Sequence, residues 1–268
     1  MADRICFSHA ALERVLEINF CRTGRAGWKM RQGCSLYLGP DDFSIHTMDL
    51  CAHSEMSLPL GHFEGVTIRV DLDQFQTEPP ELLAELGVTS HLLERHFCTE
   101  HSPTTFSSFE GQSSIFADFF DVPPELQPGF YKLKVMELLL HLIRLPCRSC
   151  RELNRYQPEQ VSTIKEVHDY LMEHLDRRIS IEELSHQFLM NTTTLKTLFK
   201  AVYGASIAAH IKEHRMEKAA RLLRDTKDSV AEISRQVGYE SQSKFTVAFK
   251  EVYGILPTSF RKSGGKLI

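Results

Sequence analysis

The sequence predicts a two-domain α+β chain, with a first half built on short strands and a second half that is helical throughout. Three observations carry this. The chain has 268 residues, 42% hydrophobic and 25% charged, which suits two globular domains and is neither disordered nor fibrous. Apolar residues alternate with period two as far as Val70 and recur at helical spacing beyond it. An internal repeat fills the last third.

The elements follow in order. Residues 15–21 alternate apolar and polar and stop at Thr23-Gly24-Arg25. Residues 35–38 and 43–48 flank Gly39-Pro40-Asp41-Asp42, whose residue types favour a tight turn between two strands. Residues 65–70 make another alternating strand, and several short strands at this spacing favour a sandwich or barrel. From Pro79 the period changes. Leu82, Leu83 and Leu86 suit a helical turn, and Thr89-Ser90 caps a second helix running to Phe97. A long helix is expected over about 130–145, with Leu133, Met136, Leu140 and Ile143 at helical spacing and Pro146 ending it. The polar run from Cys147 serves as the linker. The expected domains are 1–150, a linker at 151–160, and 161–268.

Within the second half, residues 195–204 align with 245–254 at an offset of 50, and 180–187 align with 229–236 at an offset of 49. Ser180 with Glu183, and Ser229 with Glu232, have capping-box spacing. Each short helix leads to a turn, Leu189-Met190-Asn191 in one copy and Gly238-Tyr239-Glu240-Ser241 in the other. A second helix then ends at Gly204 or Gly254, where glycine takes positive φ at low cost. Helix, short turn, helix is the helix-turn-helix unit. One long helix, carrying Ile207, Ile211, Met216, Ala219, Leu222 and Leu223, joins the copies. In each second helix the apolar residues Leu195, Leu198 and Phe199, or Phe245, Ala248 and Phe249, occupy one face. The other face is small and polar: Asn191, Thr192, Thr193, Thr194, Lys196 and Thr197, then Ser241, Gln242, Ser243, Lys244 and Thr246. Such side chains exchange hydrogen bonds with base edges without blocking a groove, whereas a Ser/Thr run stabilises an ordinary surface helix poorly.

Charge is divided in the same sense. Residues 151–268 hold 19 Lys and Arg against 15 Asp and Glu, for +4, whereas residues 1–150 hold 12 against 20, for -8. The basic half suits a phosphate backbone and the acidic half does not.

Gly238-Tyr239, Ser241, Phe245, Phe249-Lys250, Gly254, Pro257 and Phe260-Arg261, with Arg215, Ala219 and Leu222-Leu223 before them, form a long pattern. Over about 160–262 the chain resembles the AraC/XylS family of transcription activators. The resemblance implies seven helices, double-stranded DNA and RNA polymerase as partners, and two recognition helices in successive major-groove segments ~34 Å apart. Carried onto this sequence, the base-facing positions are Thr193, Lys196 and Thr197, then Gln242, Ser243, Lys244 and Val247; with Asn191, Thr192 and Ser241 from the polar faces they are the expected base readers. Lys200, Lys250, Arg261 and Lys262 would meet phosphates. The pattern departs from the family at Ile207 and His210, where Pro and Tyr are frequent, at Leu256 before Pro257, and at Val247, where a long polar reader is common.

In the first half, Tyr37-Leu38-Gly39-Pro40-Asp41-Asp42-Phe43, Thr47-Met48-Asp49 and residues 58–65 resemble the sensor half of PchR-like regulators. That resemblance implies a cupin-like β-barrel with helices and a small-molecule, siderophore-like effector. Trp28, Tyr37, Phe43, His46 and Phe63 are the residues expected at an effector pocket. Leu133, Met136, Leu140 and Ile143 would either pack on the barrel or form a homodimer interface.

Other chemistry is weakly signalled. His91, His96, Cys98 and His101 have irregular spacing that fits no closed metal site, and Cys147/Cys150 form one CxxC without a second pair. No cofactor or metal is expected from them. Seven scattered cysteines without a secretory leader argue against a disulfide framework. No 20-residue apolar run, signal peptide, GxSxG, P-loop or GxGxxG is present, so a cytoplasmic, non-enzymatic regulator is expected. The alternative is a metal-dependent cupin-like enzyme with an appended DNA-binding domain. It would need clustered His and carboxylate on adjacent strands, and His46, His53 and His62 form no such motif.

Overall fold

Alternation sorts strand β2 (Val15–Gly24) into two faces, and both are buried. Leu16, Ile18 and Phe20 face an apolar core, while Glu17, Asn19 and Cys21 face the other way. In the computed structural model, which describes residues 4–8, 10–29, 35–97, 104–107, 112–144 and 157–264, β2 is a central strand. It lies in a sheet of order β7-β2-β5-β8, with β5 at Asp42–Thr47, β7 at Phe63–Asp71 and β8 at Thr104–Ser107. A second sheet has the order β1-β6-β3-β4, from Arg4–Ser8, His53–Ser57, Ala26–Lys29 and Ser35–Leu38. All pairings are antiparallel.

The single barrel expected from the sequence is replaced by these two four-stranded sheets, with no closed barrel among the described residues. The Gly39 to Asp42 turn does form, with Asp42 N–H donating to Gly39 O at 3.0 Å and Asp41 at φ 65°. Yet it carries the chain from one sheet to the other, because β4 and β5 belong to different sheets.

Helices cover the apolar face of β2. Asp71 caps α1 (Leu72–Thr77), accepting from Asp73 and Gln74 N–H groups at 3.0 Å. Then come α2 (Glu81–Glu85), α3 (Ser90–Phe97), α4 (Gln112–Ala117) and the long α5 (Gln127–Arg144). Phe116 of α4 stacks on Phe20 at 4.1 Å between ring centroids. Leu138, Leu139 and Leu142 of α5 are fully buried in the same core, each stabilising by ~1.5–3 kcal/mol. The face of α5 that packs is therefore set by these three leucines. Met136, Leu140 and Ile143 flank it half-buried, and Leu133 stands 62% exposed.

The chain divides into two compact units, 1–158 and 159–268. The described part of the second holds seven helices: α6 (Pro158–Glu173), α7 (Ile181–Gln187), α8 (Thr192–Tyr203), α9 (Ile207–Asp225), α10 (Val230–Gln236), α11 (Gln242–Tyr253) and α12 (Pro257–Lys262). Helix α6 opens with Pro158, a residue suited to a first turn, so residues 158–160 are helical although the sequence placed them in the linker. Met216, Ala219, Leu223, Ile233, Phe245, Phe249 and Phe260 form the core around α9 to α12. Among the described residues no helix is long and apolar enough to cross a membrane.

Candidate nucleic-acid interface

Each helix-turn-helix is assembled by local chemistry. Ser180 Oγ accepts from Glu183 N–H at 3.0 Å and starts α7. Glu183 does not return the bond; its carboxylate pairs with Arg177 at 2.9 Å, so only half of the expected box forms. At α10 both halves form: Glu232 N–H donates to Ser229 Oγ at 3.2 Å, and Ser229 N–H donates to Glu232 Oε2 at 2.7 Å. The turn into α11 uses Gly238 at φ 76°. The equivalent left-handed position before α8 is Leu189, at φ 51° and 94% exposed. Both second helices end on glycine, Gly204 at φ 78° and Gly254 at φ 75°.

An arginine pins each copy from the helix that follows it. Arg215 of α9 donates to Leu175 O at 2.9 Å and Arg177 O at 2.6 Å, the carbonyls that lead into α7. Arg261 of α12 donates to Leu223 O at 3.2 Å and Asp228 O at 2.5 Å, which lead into α10. Arg261, expected at a phosphate, therefore has its guanidinium on backbone carbonyls in this structure. Lys262 beside it is exposed.

The two recognition faces are now defined. On α8, Leu195, Leu198 and Phe199 are buried, whereas Thr193, Lys196, Thr197 and Lys200 are exposed and Thr192 is half-buried. Asn191 Oδ1 caps the helix, accepting from Thr194 N–H at 2.8 Å, which leaves its amide nitrogen to face outward chemistry. On α11, Gln242, Ser243, Lys244, Val247 and Lys250 are exposed, while Phe245, Ala248 and Phe249 are buried and Ser241 is half-buried. Ser241 makes no side-chain cap, so the first N–H groups of α11 remain for an anion such as a phosphate. Helix α8 contains no acidic residue, and the one on α11, Glu251, is paired with Lys212 at 2.5 Å. Both faces are thus polar, basic and free of unpaired carboxylates, as groove entry requires.

The residues singled out in the first unit fall into three places. Trp28 and Phe63 meet edge to face at 5.9 Å. Phe43 packs on Phe116 in the helical core, on the opposite face of β5 from His46. Tyr37 is buried over Gly27. His46 belongs to a buried polar array that the sequence reading missed apart from the histidine itself. Glu17 pairs in register with His46, and Asn19 with Ser44. Glu17 accepts from Asn19 at 3.0 Å and Arg69 at 2.9 Å, and His46 Nε2 lies 3.5 Å away as an ion-pair partner. Burial pushes the Glu17 pKa up, but His46, Asn19 and Arg69 outweigh it and hold the carboxyl at about 2. Cys51 is 3.9 Å from Glu17 and packs with Leu36 and Trp28 of the other sheet; burial first, then Glu17, pushes its thiol up to about 12. Ser44 Oγ and both ring nitrogens of His46 are buried without a hydrogen-bond partner. The available signal was the polar half of an alternation whose strand is central.

An apolar groove of about 840 Å³ runs between α1, α2 and α5, lined by Phe75, Leu82, Leu83, Leu133, Met136 and Leu139. His91 is exposed on α3 and His96 packs on Phe97 at 4.7 Å. Cys98, His101, Cys147 and Cys150 lie outside the described residues.

A duplicated helix-turn-helix with two such faces defines a DNA-binding domain of a transcription regulator. Residues 184–263 match the helix-turn-helix domain family. The TetD protein of transposon Tn10 from Escherichia coli is 30% identical over 110 residues, which cover 40% of this chain and 80% of TetD. The HTH-type transcriptional regulator ExsA of Pseudomonas aeruginosa is 33% identical over 143 residues, 52% of this chain and 49% of ExsA. The probable transcriptional regulator LumQ of Photobacterium leiognathi is 27% identical over 119 residues, 44% of this chain and 48% of LumQ. The match thus spans about half the length of the last two. The chain belongs to the AraC/XylS family of transcription regulators, and its second unit is that family's DNA-binding domain.

Proposed function

We propose that the protein regulates transcription by reading two successive major-groove segments of double-stranded DNA, with α8 and α11 as recognition helices. The observation that carries this is the pair of exposed polar faces on α8 and α11, backed by buried Leu195, Leu198 and Phe199 or by Phe245, Ala248 and Phe249, with the one acidic residue, Glu251, paired to Lys212. Base readers are Asn191, Thr192, Thr193, Lys196 and Thr197, then Ser241, Gln242, Ser243, Lys244 and Val247. Phosphates are met by Lys200, Lys250 and Lys262 and the open N-terminus of α11, with Arg261 acting through the fold. RNA polymerase is the partner on DNA, and the protein works in the cytoplasm. Selection of bound genomic fragments by the full-length chain, followed by sequencing, tests the reading. Recovery of one recurrent bipartite site supports it, and unselective recovery overturns it.

The first unit is the sensor in this reading, in the manner of PchR-like regulators, with a cupin-like arrangement of its two sheets and a siderophore-like small molecule as effector. Support comes from Ser44 Oγ and His46 Nδ1, which are buried on a polar face without a hydrogen-bond partner, since such groups call for a bound water, ion or ligand. Trp28, Tyr37 and Phe63 lie on the strands around that face, whereas Phe43 supports β5 from behind. Homodimers form through α5, for which the exposed Leu133 beside an apolar groove speaks.

A metal-dependent enzyme is the second reading, favoured by one observation: Glu17, His46 and Cys51 offer ligand atoms within 4.8 Å of one another. Against it, both oxygens of Glu17 already accept hydrogen bonds and the Cys51 thiol is held protonated. Stoichiometric metal that disappears with Glu17→Gln would favour the enzyme.

A further inference from the structure

The second unit holds a cluster that DNA recognition does not use. His210 and His214 stand one turn apart on α9, and His168 faces them from α6. Their ring centroids are 4.5 Å apart for His210 and His214, 5.1 Å for His168 and His210, and 6.1 Å for His168 and His214. Each offers one ring nitrogen, and the three nitrogens lie within 4.8 Å of one another. His210 is 2% exposed, and its Nε2 is buried with no hydrogen-bond partner. Burial ordinarily forbids such an orphan nitrogen.

The surroundings set the tautomers. His168 Nδ1 lies 3.2 Å from Asp169 Oδ1, and His214 Nδ1 lies 3.1 Å from Glu217 Oε2. A carboxylate on Nδ1 keeps the proton there and leaves the Nε2 lone pair free, the outer-shell arrangement that orients histidines on metals. Burial, then the neighbouring imidazoles, pushes His210 down to about 3, and burial pushes His168 below its ordinary value, so both rings are neutral donors at neutral pH.

We propose that His168, His210 and His214 bind one divalent transition-metal ion, zinc in the first instance, with solvent in the fourth position. Three neutral imidazoles suit zinc, copper(II) or nickel(II) and do not suit calcium or magnesium. Closing three nitrogens from within 4.8 Å onto bonds of ~2.0–2.1 Å needs only side-chain adjustment, because two of the rings are part-exposed. The ion ties α6 to α9. It also braces α8, whose Tyr203 stacks on His168 at 4.5 Å and whose Phe199 packs on His210 at 5.4 Å. Metal occupancy would therefore stiffen the scaffold of the first recognition helix.

Titration of the full-length, metal-stripped protein with cobalt(II) and zinc(II) tests this. One equivalent of cobalt should give the visible bands of a tetrahedral nitrogen-and-oxygen site without a thiolate charge-transfer band, and zinc should displace it and raise the melting temperature reversibly with chelator. His214→Gln should weaken cobalt binding at least about tenfold, since even outer-shell changes cost ~10–100-fold. In chelator its melting should match the parent chain. His168→Gln should behave likewise, while Cys51→Ser should bind as the parent does. No uptake by the parent, equal uptake by His214→Gln and His168→Gln, or a thiolate band lost with Cys51→Ser would each overturn the proposal.

Discussion

Alanine at Gly238 separates two physical demands on the turn of the second helix-turn-helix. Gly238 and Gly254 have nearly the same backbone, φ 76° and 75°. A side chain at such φ costs ~1–2 kcal/mol, and alanine regains ~0.4–1 kcal/mol by restricting the unfolded chain. Conformation alone therefore predicts small and equal losses. The surroundings differ. A Cβ at Gly254 meets nothing within 4 Å, whereas at Gly238 it falls 2.6 Å from Leu175 O and 2.6 Å from Arg215 Nη2. Arg215 would have to leave the carbonyls of Leu175 and Arg177 that it holds at 2.9 and 2.6 Å. Crowding of this kind costs ~1–3 kcal/mol. Gly238→Ala should thus lie about 2 kcal/mol below Gly254→Ala, a further fall of about 10 °C in the melting temperature of a domain this size. Helical circular dichroism is weighted towards the second unit, which holds most of the described helical residues, and fluorescence of Trp28, the single tryptophan, follows the first, so the dichroism change that fluorescence does not share belongs to the second. Gly238→Ala should move the dichroism transition and leave the fluorescence transition in place. Equal losses for the two variants would refute the crowding argument.

Other expectations follow from the same structure. Lys196→Ala or Gln242→Ala should cost ~1–3 kcal/mol at the selected site and relax preference at one base pair, while Lys262→Ala should weaken all DNA alike and lower the salt slope; competition binding against random DNA separates the two. Leu133→Glu with Leu140→Glu should sediment as a folded monomer if α5 joins two protomers, and an unfolded product would show that α5 only packs internally. Glu17 drops from an ordinary 4.5 to about 2 on folding, so its contribution is complete above pH 4.5 and is lost as pH falls towards 2. The first unit should lose about 3 kcal/mol across that window. Trp28 fluorescence against denaturant at several pH values should show that slope, and Glu17→Gln should flatten it.

What was legible in the sequence was what repeats or alternates. The two capping serines, the terminal glycines and the buried Leu195/Phe199 and Phe245/Phe249 faces are local patterns, and they placed α7, α8, α10 and α11. The partners of Arg215 and Arg261 are backbone carbonyls far away in sequence, which leave no mark on composition. The sequence therefore offered Arg261 only as a phosphate contact carried over from the family resemblance and gave no sign of these carbonyls. Glu17 and Asn19 occupy the polar places of an alternating strand, and alternation reads such places as solvent; here both are buried among Arg69, Thr67, His46 and Cys51. Which row of α5 packs inward was not legible for a related reason. Leu138, Leu139 and Leu142 have the same helical spacing as Leu133, Met136 and Leu140, and only packing decides between rows that share a period.

The two helix-turn-helix copies are equal in plan and unequal in strength. The second has a complete capping box at Ser229 and glycine at the left-handed turn position. The first has half a box, because Glu183 is drawn to Arg177, and it forces Leu189 into the same left-handed conformation with its side chain in solvent. A missing half-box costs a fraction of the ~0.5–2 kcal/mol of a cap, and an L residue at positive φ costs ~1–2 kcal/mol. The first copy is therefore the softer by one to a few kcal/mol in local terms, and it is the copy whose scaffold carries the three histidines. Leu189→Gly should relieve the strain and raise the melting temperature of the second unit by a few degrees, provided the glycine's added unfolded-state freedom of ~0.4–1 kcal/mol does not cancel the gain. Because Leu189 is exposed and buries nothing, lost packing does not confuse the result. A lower melting temperature for Leu189→Gly would mean that the strain at Leu189 is smaller than the ~0.4–1 kcal/mol of added unfolded-state freedom, and that the asymmetry between the copies lies mainly in the capping box.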